Sequence, residues 1–182
     1  MSAPKTFVAL VRGINLAGRS KVPMAELRAA LESLGLENVV TYIQSGNVVF
    51  RGRGGARALA AVIEGGIEEA FGIDVVVLLR TPAELRKVAA GNPFLRAGAD
   101  PAKLHVVFLS GKPAKEAAAG LDPDRSPPGE FELGGREVYL HLPTGFGRSK
   151  LTVDYFERTL GVAGTARNWR TVTKLMELAR AR

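Results

Sequence analysis

Residues Asn38 to Phe50 read NVVTYIQSGNVVF. Two strand-like runs, NVVTYI and NVVF, are rich in β-branched and aromatic residues and flank QSG, where Gly46 supplies turn chemistry. Val39 to Arg51 therefore reads as a hairpin. This hairpin decides the fold, because the surrounding segments otherwise alternate strand and helix. Upstream, Lys5 to Val11 is a short apolar run ending at Gly13 and reads as a buried strand. Pro23 then takes the first helical position, Leu27, Ala30, Leu31 and Leu34 recur at helical spacing, and Gly35 is a stop. Downstream of the Gly/Arg-rich RGRGG, Ala56 to Phe71 carries Leu59, Val62, Ile63, Ile67 and Ala70 on one helical face and stops at Gly72. IDVVVLLR, ending at Arg80, is apolar nearly throughout and reads as a strand. The order is β-α-β-β-α-β, the split β-α-β arrangement of a ferredoxin-like unit.

The same order recurs. TPAELRKVAA starts a helix, GNPF a turn and KLHVVFLS a strand; Pro113 to Leu121 is a small Ala-rich helix, and DPDRSPPG is the most loop-like stretch of the chain. EFELGGREVYLHL is a hairpin around Gly134 and Gly135. A helix from about Lys150 to Leu160, a short strand at Thr165 to Asn168 and a final helix from about Arg170 complete the chain. RTPAELRKVA from Arg80 and RTVTKLMELA from Arg170 share Arg, Thr, Leu and Ala in register, an echo that fits a duplication. The expected architecture is α+β: a ferredoxin-like half over residues 1–80, a linking helix and turn over 81–100, and a second half with a C-terminal helix over 101–182.

Length and composition narrow the chemistry. A chain of 182 residues with 46% hydrophobic content can bury a substantial core. No apolar run approaches the roughly 20 residues that span a bilayer, and the N-terminus lacks a cleavage-type small-residue site. The expectation is a cytoplasmic protein without membrane contact. Zero cysteines remove disulfides and thiolate chemistry, and two histidines leave little for a metal site, so none is expected. His105 and His141 read as structural residues. The net charge of +7 favours an anionic partner, although no block of five like charges occurs.

RGINLAGRSKVP, Arg12 to Pro23, joins the first strand to the first helix. Gly13 to Ser20 has P-loop spacing, with Arg19 at the position of the required Lys. A P-loop needs a slim ammonium between phosphates and a hydroxyl on magnesium at the first helical turn. Arg19 is planar and bulkier, Val22-Pro23 starts the helix after the Arg-Ser pair, and no strand ends in a magnesium-binding Asp. A looser anion site survives: Arg12, Arg19 and Lys21 with Asn15 and Gly18 beside a helix N-terminus. The competing reading is a solvated connection whose glycines only satisfy turns. TGFGRSK raises the same choice, placing Arg148, Ser149 and Lys150 at a helix start with Ser149 as a possible N-cap.

Two further clusters carry hydrogen-bonding groups. Tyr42, Gln44, Ser45 and Asn47 crowd the first hairpin turn, either to stabilise it or to recognise a base, sugar or amide. TARNWRTVTKL brings Arg167, Asn168, Trp169, Arg170 and Lys174 to the last strand-to-helix boundary. Trp169, the single tryptophan, either stacks on a ligand ring or anchors the terminal helix.

LVRGINLAGRSKVPMAELRAALESLG, TYIQSGNVVF, GRSKL and TARNWRTVTKL together resemble one bacterial family, catalogued only as domain of unknown function sixteen-ninety-seven. The resemblance covers essentially the full chain. It implies a tandem pair of ferredoxin-like subdomains and no established activity; the cofactor, if any, is unknown from sequence. Members tend to carry Gly-Gly-Lys or similar in the first loop, where this chain has Ala17-Gly18-Arg19. Three functional expectations follow. The first is a protein whose basic glycine turns bind a phosphate-bearing or other anionic ligand, nucleic acid included, although the aromatic pattern of RNA-binding ferredoxin-like sheets is missing. The second is an enzyme on a phosphorylated or acidic small molecule, with Arg12, Asn15, Tyr42, Gln44 and Asn47 as a polar pocket. The third is a dimerising scaffold.

Overall fold

A computed structural model describes residues 2–16, 18 and 21–182. The first six elements are β1 (Lys5–Val11), α1 (Met24–Ser33), β2 (Glu37–Tyr42), β3 (Asn47–Gly52), α2 (Ala56–Phe71) and β4 (Val77–Arg80). Two helices follow, α3 (Pro82–Gly91) and α4 (Pro93–Arg96). Then come β5 (Leu104–Leu109), α5 (Lys115–Ala119), β6 (Glu130–Gly134), β7 (Glu137–His141), α6 (Val153–Leu160), β8 (Gly164–Asn168) and α7 (Trp169–Arg180). The strands form two four-stranded antiparallel sheets, ordered β2-β3-β1-β4 and β6-β7-β5-β8. The fold is α+β with two repeated βαββαβ-like halves.

The chain forms two compact units, Met1–Arg86 with Lys174–Arg182, and Lys87–Thr173. Helices α3 and α7 each contribute residues to both units. Residues of the last segment reach the first unit's strands: Thr6 Oγ1 donates to the Arg182 carbonyl (3.3 Å), and the Arg182 guanidinium donates to the Asn38 carbonyl (3.3 Å).

Period-two alternation places Phe7, Ala9 and Val11 of β1 with Val48 and Phe50 of β3 in one cluster. Leu27 and Leu31 of α1 and Leu59, Ile63 and Ile67 of α2, spaced at one helical turn, complete it. The second unit repeats this with Val107, Leu109, Val138 and Leu140 against Phe156 and Leu160 of α6. The intervening residues Val8, Leu10, Val106 and Phe108 are buried too, so both central strands lack a solvent-facing side. This explains the near-continuous apolar runs in the sequence.

Several boundaries follow local chemistry that the apolar pattern does not record. β4 begins at Val77, not Ile73, where the Glu64 carboxylate of α2 accepts the Val77 N–H at 2.8 Å. α6 begins at Val153 because Thr152 Oγ1 accepts the Tyr155 N–H (3.2 Å), so Thr152 is the cap and Ser149 is not. GNPF forms a helical turn, capped by Asn92 through the N–H groups of Phe94 and Leu95. The Arg80/Arg170 echo does not mark equivalent positions. Arg80 is the last residue of β4 and precedes Thr81, whose hydroxyl accepts the Glu84 N–H of α3. In the second half the corresponding residue is Arg167, which precedes Asn168, the cap of α7. Arg80 lies opposite Val8 and Arg167 opposite Val106, and both arginines are buried.

Two backbone positions in the first hairpin are demanding. Gly46 has φ +76°, and a Cβ there would lie 2.9 Å from Ile14 Cδ1 and Val11 Cβ, so glycine is required on both counts. Ile43 has φ +48°, a left-handed conformation that β-branched residues rarely adopt, and its side chain is 50% exposed. We predict that Ile43→Asn stabilises the protein by about 1 kcal/mol, because the strain relieved exceeds the little burial lost. Urea denaturation checks this, and a less stable variant contradicts it.

On β5, the His105 ring stacks on Phe146 with centroids 5.0 Å apart, and its Nδ1 is buried without a partner among the described residues. Burial lowers its pKa below the ordinary 6.5. As pH falls, the unfolded chain takes up this proton first. The stability tied to the neutral ring is therefore whole above pH 6.5 and is lost as pH falls through the folded-state value. The urea midpoint of the parent protein is expected to fall more steeply between about pH 7 and pH 5 than that of His105→Phe; parallel profiles would contradict this assignment.

Candidate functional site

The connection from β1 to α1 is organised by Asn15. The Arg12 N–H donates to the Val76 carbonyl (2.9 Å), and the Val11 N–H to the Gly46 carbonyl (2.9 Å). Ile14, 2% exposed, then anchors the chain in the apolar core. Asn15 turns back with φ +55°, a conformation asparagine tolerates. Its Nδ2 donates to the carbonyls of Val22 (2.9 Å) and Gln44 (2.7 Å), while its Oδ1 accepts the Val22 N–H (2.7 Å). One side chain thus closes the loop on itself and ties it to the hairpin turn.

This closure delivers the chain to α1 at Pro23. Pro23 is the N-cap and has no side chain able to accept a hydrogen bond, so the first-turn amides of α1 gain no side-chain cap. Next to them lies a cavity of about 650 Å³ lined by Asn15, Gly18, Lys21, Val22, Pro23, Met24, Ala25 and Gln44. Its cation is Lys21, an exposed residue. Lys21 is also the one ionisable side chain in the described lining. Arg19 lies outside the described residues.

The other hairpin residues serve the turn itself. Asn47 is fully buried, and its Nδ2 donates to the Tyr42 carbonyl (3.1 Å) and Ser45 Oγ (2.8 Å). Arg12, Tyr42, Ser45 and Asn47 do not line the cavity. Lys174 pairs with Glu177 at 3.1 Å. At RGRGG, Arg53 pairs with Glu37 at 3.4 Å.

In the second unit, Arg148 and Lys150 are exposed, but the segment is stitched to a neighbouring loop. The Lys150 N–H donates to Ser126 Oγ (2.9 Å), the Lys150 carbonyl accepts from Arg125 Nε (3.0 Å), and Ser149 Oγ accepts the Leu151 N–H (3.0 Å). Arg167 is 7% exposed, and its Nη1 donates to Thr165 Oγ1 (2.7 Å) and the Ala166 carbonyl (2.8 Å). Burial pushes its pKa down to about 10, so it stays charged at neutral pH. Asn168 Oδ1 caps α7 by accepting the Thr171 N–H (2.8 Å), and Trp169 is 4% exposed.

A second cavity, of about 620 Å³, is lined by Pro101, Ala102, His105, Asn168, Trp169, Arg170 and Thr173. Of the residues singled out in the sequence, those that line a cavity are Asn15, Gly18, Lys21 and Gln44 in one unit and Asn168, Trp169 and Arg170 in the other; Arg12, Tyr42, Ser45, Asn47, Arg148, Ser149, Lys150, Arg167 and Lys174 line neither. Sequence reasoning missed His105 as a cavity residue. Its place inside LHVVFL carries only a strand signal, and the cavity's polar and aromatic residues, Asn168, Trp169, Arg170 and Thr173, come from a distant part of the chain.

Among the described residues no group of three His, Cys, Asp or Glu side chains could hold a metal ion, and no helix is long and apolar enough to cross a membrane. No curated protein matches the chain. In structure it is similar to the conserved bacterial protein SP0830 from Streptococcus pneumoniae, at 23% identity and a TM-score of 0.73, over 98% of this chain and 99% of that one. That likeness supports the fold alone. The family model described as "Protein of unknown function (DUF1697)" matches residues 5–139, and the chain belongs to this family.

Proposed function

We propose that the first unit binds a small phosphate-bearing anion in the cavity at the N-terminus of α1. The observation that carries this reading is a helix end without a side-chain cap opening on a 650 Å³ cavity that also holds Lys21 and Gln44. First-turn amides without a side-chain cap from Pro23 and the positive end of the helix dipole favour an oxyanion, and an ammonium beside them adds a charge-assisted hydrogen bond. Binding is favoured over catalysis because the described lining offers no carboxylate, imidazole or phenol for proton transfer. A small ligand is favoured over nucleic acid because these groups converge on one cavity, whereas a polyanion needs a track of cations and stacking aromatics.

Calorimetric titration with pyrophosphate and with a short single-stranded RNA at several salt concentrations tests this reading. The expected result is saturable pyrophosphate binding that weakens as salt shortens the screening length. Lys21→Gln is expected to weaken it about tenfold, the worth of one charge-assisted contact. Glu26, also in the first turn of α1, opposes an anion, so Glu26→Gln is expected to tighten binding severalfold. Absence of pyrophosphate binding at low salt, or equal affinity in Lys21→Gln, overturns the proposal; tight RNA binding without pyrophosphate binding replaces it with the nucleic-acid reading.

A further inference from the structure

The geometry points to a second ligand site, independent of the first: the cavity between Ala102, His105, Trp169 and Arg170 accepts a small organic acid, an apolar body bearing one carboxylate. At about 620 Å³ the cavity has the size of a small-molecule pocket. Pro101, Ala102 and Trp169 supply apolar wall, and Arg170 is an exposed cation. No ion pair neutralises Arg170 among the described residues, and no Asp or Glu lines the cavity. Asn168 already occupies the end of α7, so the guanidinium, not the helix terminus, is the anion contact. A guanidinium meets a carboxylate through two parallel N–H bonds.

His105 distinguishes a carboxylate from a phosphate dianion. Its Nδ1 is buried with no partner among the described residues, a position that suits a lone pair better than an N–H, which leaves the proton on Nε2. The same burial holds the ring neutral at physiological pH. The cavity therefore offers one positive charge and one neutral ring. That balance suits a monoanion. Trp169 forms part of the wall while remaining packed in the protein, so an occupant touches the indole without displacing it.

Trp169 is the only tryptophan of the chain, so its emission, excited at about 295 nm, reports on this cavity alone. The probe is 3-phenylpropionate, with its neutral isostere 3-phenylpropanol and inorganic phosphate as comparison arms. Expected are a saturable emission change with 3-phenylpropionate, at least tenfold weaker binding of the alcohol and of phosphate, and at least tenfold weaker binding of the acid to Arg170→Gln. Arg170 is exposed, so the variant is expected to keep the parent's thermal midpoint. Calorimetry on the same samples covers an occupant that leaves the emission unchanged. The inference is overturned if neither method detects 3-phenylpropionate at millimolar concentration, if Arg170→Gln binds it equally well, or if phosphate alone binds as tightly. Lys21→Gln is expected to leave this binding unchanged, which separates failure here from failure at the first cavity.

Discussion

Pairing of β1 on both edges, with β3 on one side and β4 on the other, fixes where the loops of the first unit emerge. Because both ladders are antiparallel, the end of β1 lies beside the start of β3 and the start of β4. The chain leaving β1 is therefore held by Gly46 and Val76 at once. It must turn within reach of the hairpin, and Asn15 makes that turn specific by bonding both its own loop and the Gln44 carbonyl. The cavity beside α1 is a consequence of strand order before it is a consequence of any charged residue.

Elements specified by neighbouring residues were legible in the sequence. Pro23 before α1, Gly72 after α2 and the glycines of both hairpins act within a few positions, so their chemistry can be read without tertiary knowledge. Features set by distant partners were not. The start of β4 depends on Glu64, and the start of α6 on a choice between two hydroxyl residues that only geometry separates. The repeated Arg-Thr motif misled by three positions, because residues matched in type are not matched in place: Arg80 ends a strand, whereas Arg170 lies in a helix. The candidate sites divide in the same way. Lys21 and Gln44 were visible as polar groups near a turn, but the cavity that includes His105 unites segments far apart in sequence.

The +7 charge is not spread as a uniform attractive surface. Arg80 and Arg167 are buried, and Arg28, Arg53, Arg158 and Lys174 each face a carboxylate. Such exposed pairs add little stability, yet they cancel local potential. What distinguishes Lys21 and Arg170 is position: each lines a cavity whose described walls bring no opposing carboxylate.

Helix α7 has a consequence for any attempt to dissect the protein. It starts on a cap supplied by Asn168 in one unit, while Lys174 onward belongs to the other, where Thr6 and Asn38 bond Arg182. A fragment cut after the first repeat would lack its own closing segment, and the complementary fragment would carry a helix whose distal turns had lost their partners. Each repeat is contiguous as sequence, yet the first compact unit draws on both ends of the chain, and pieces severed between the repeats should regain native structure together more readily than apart.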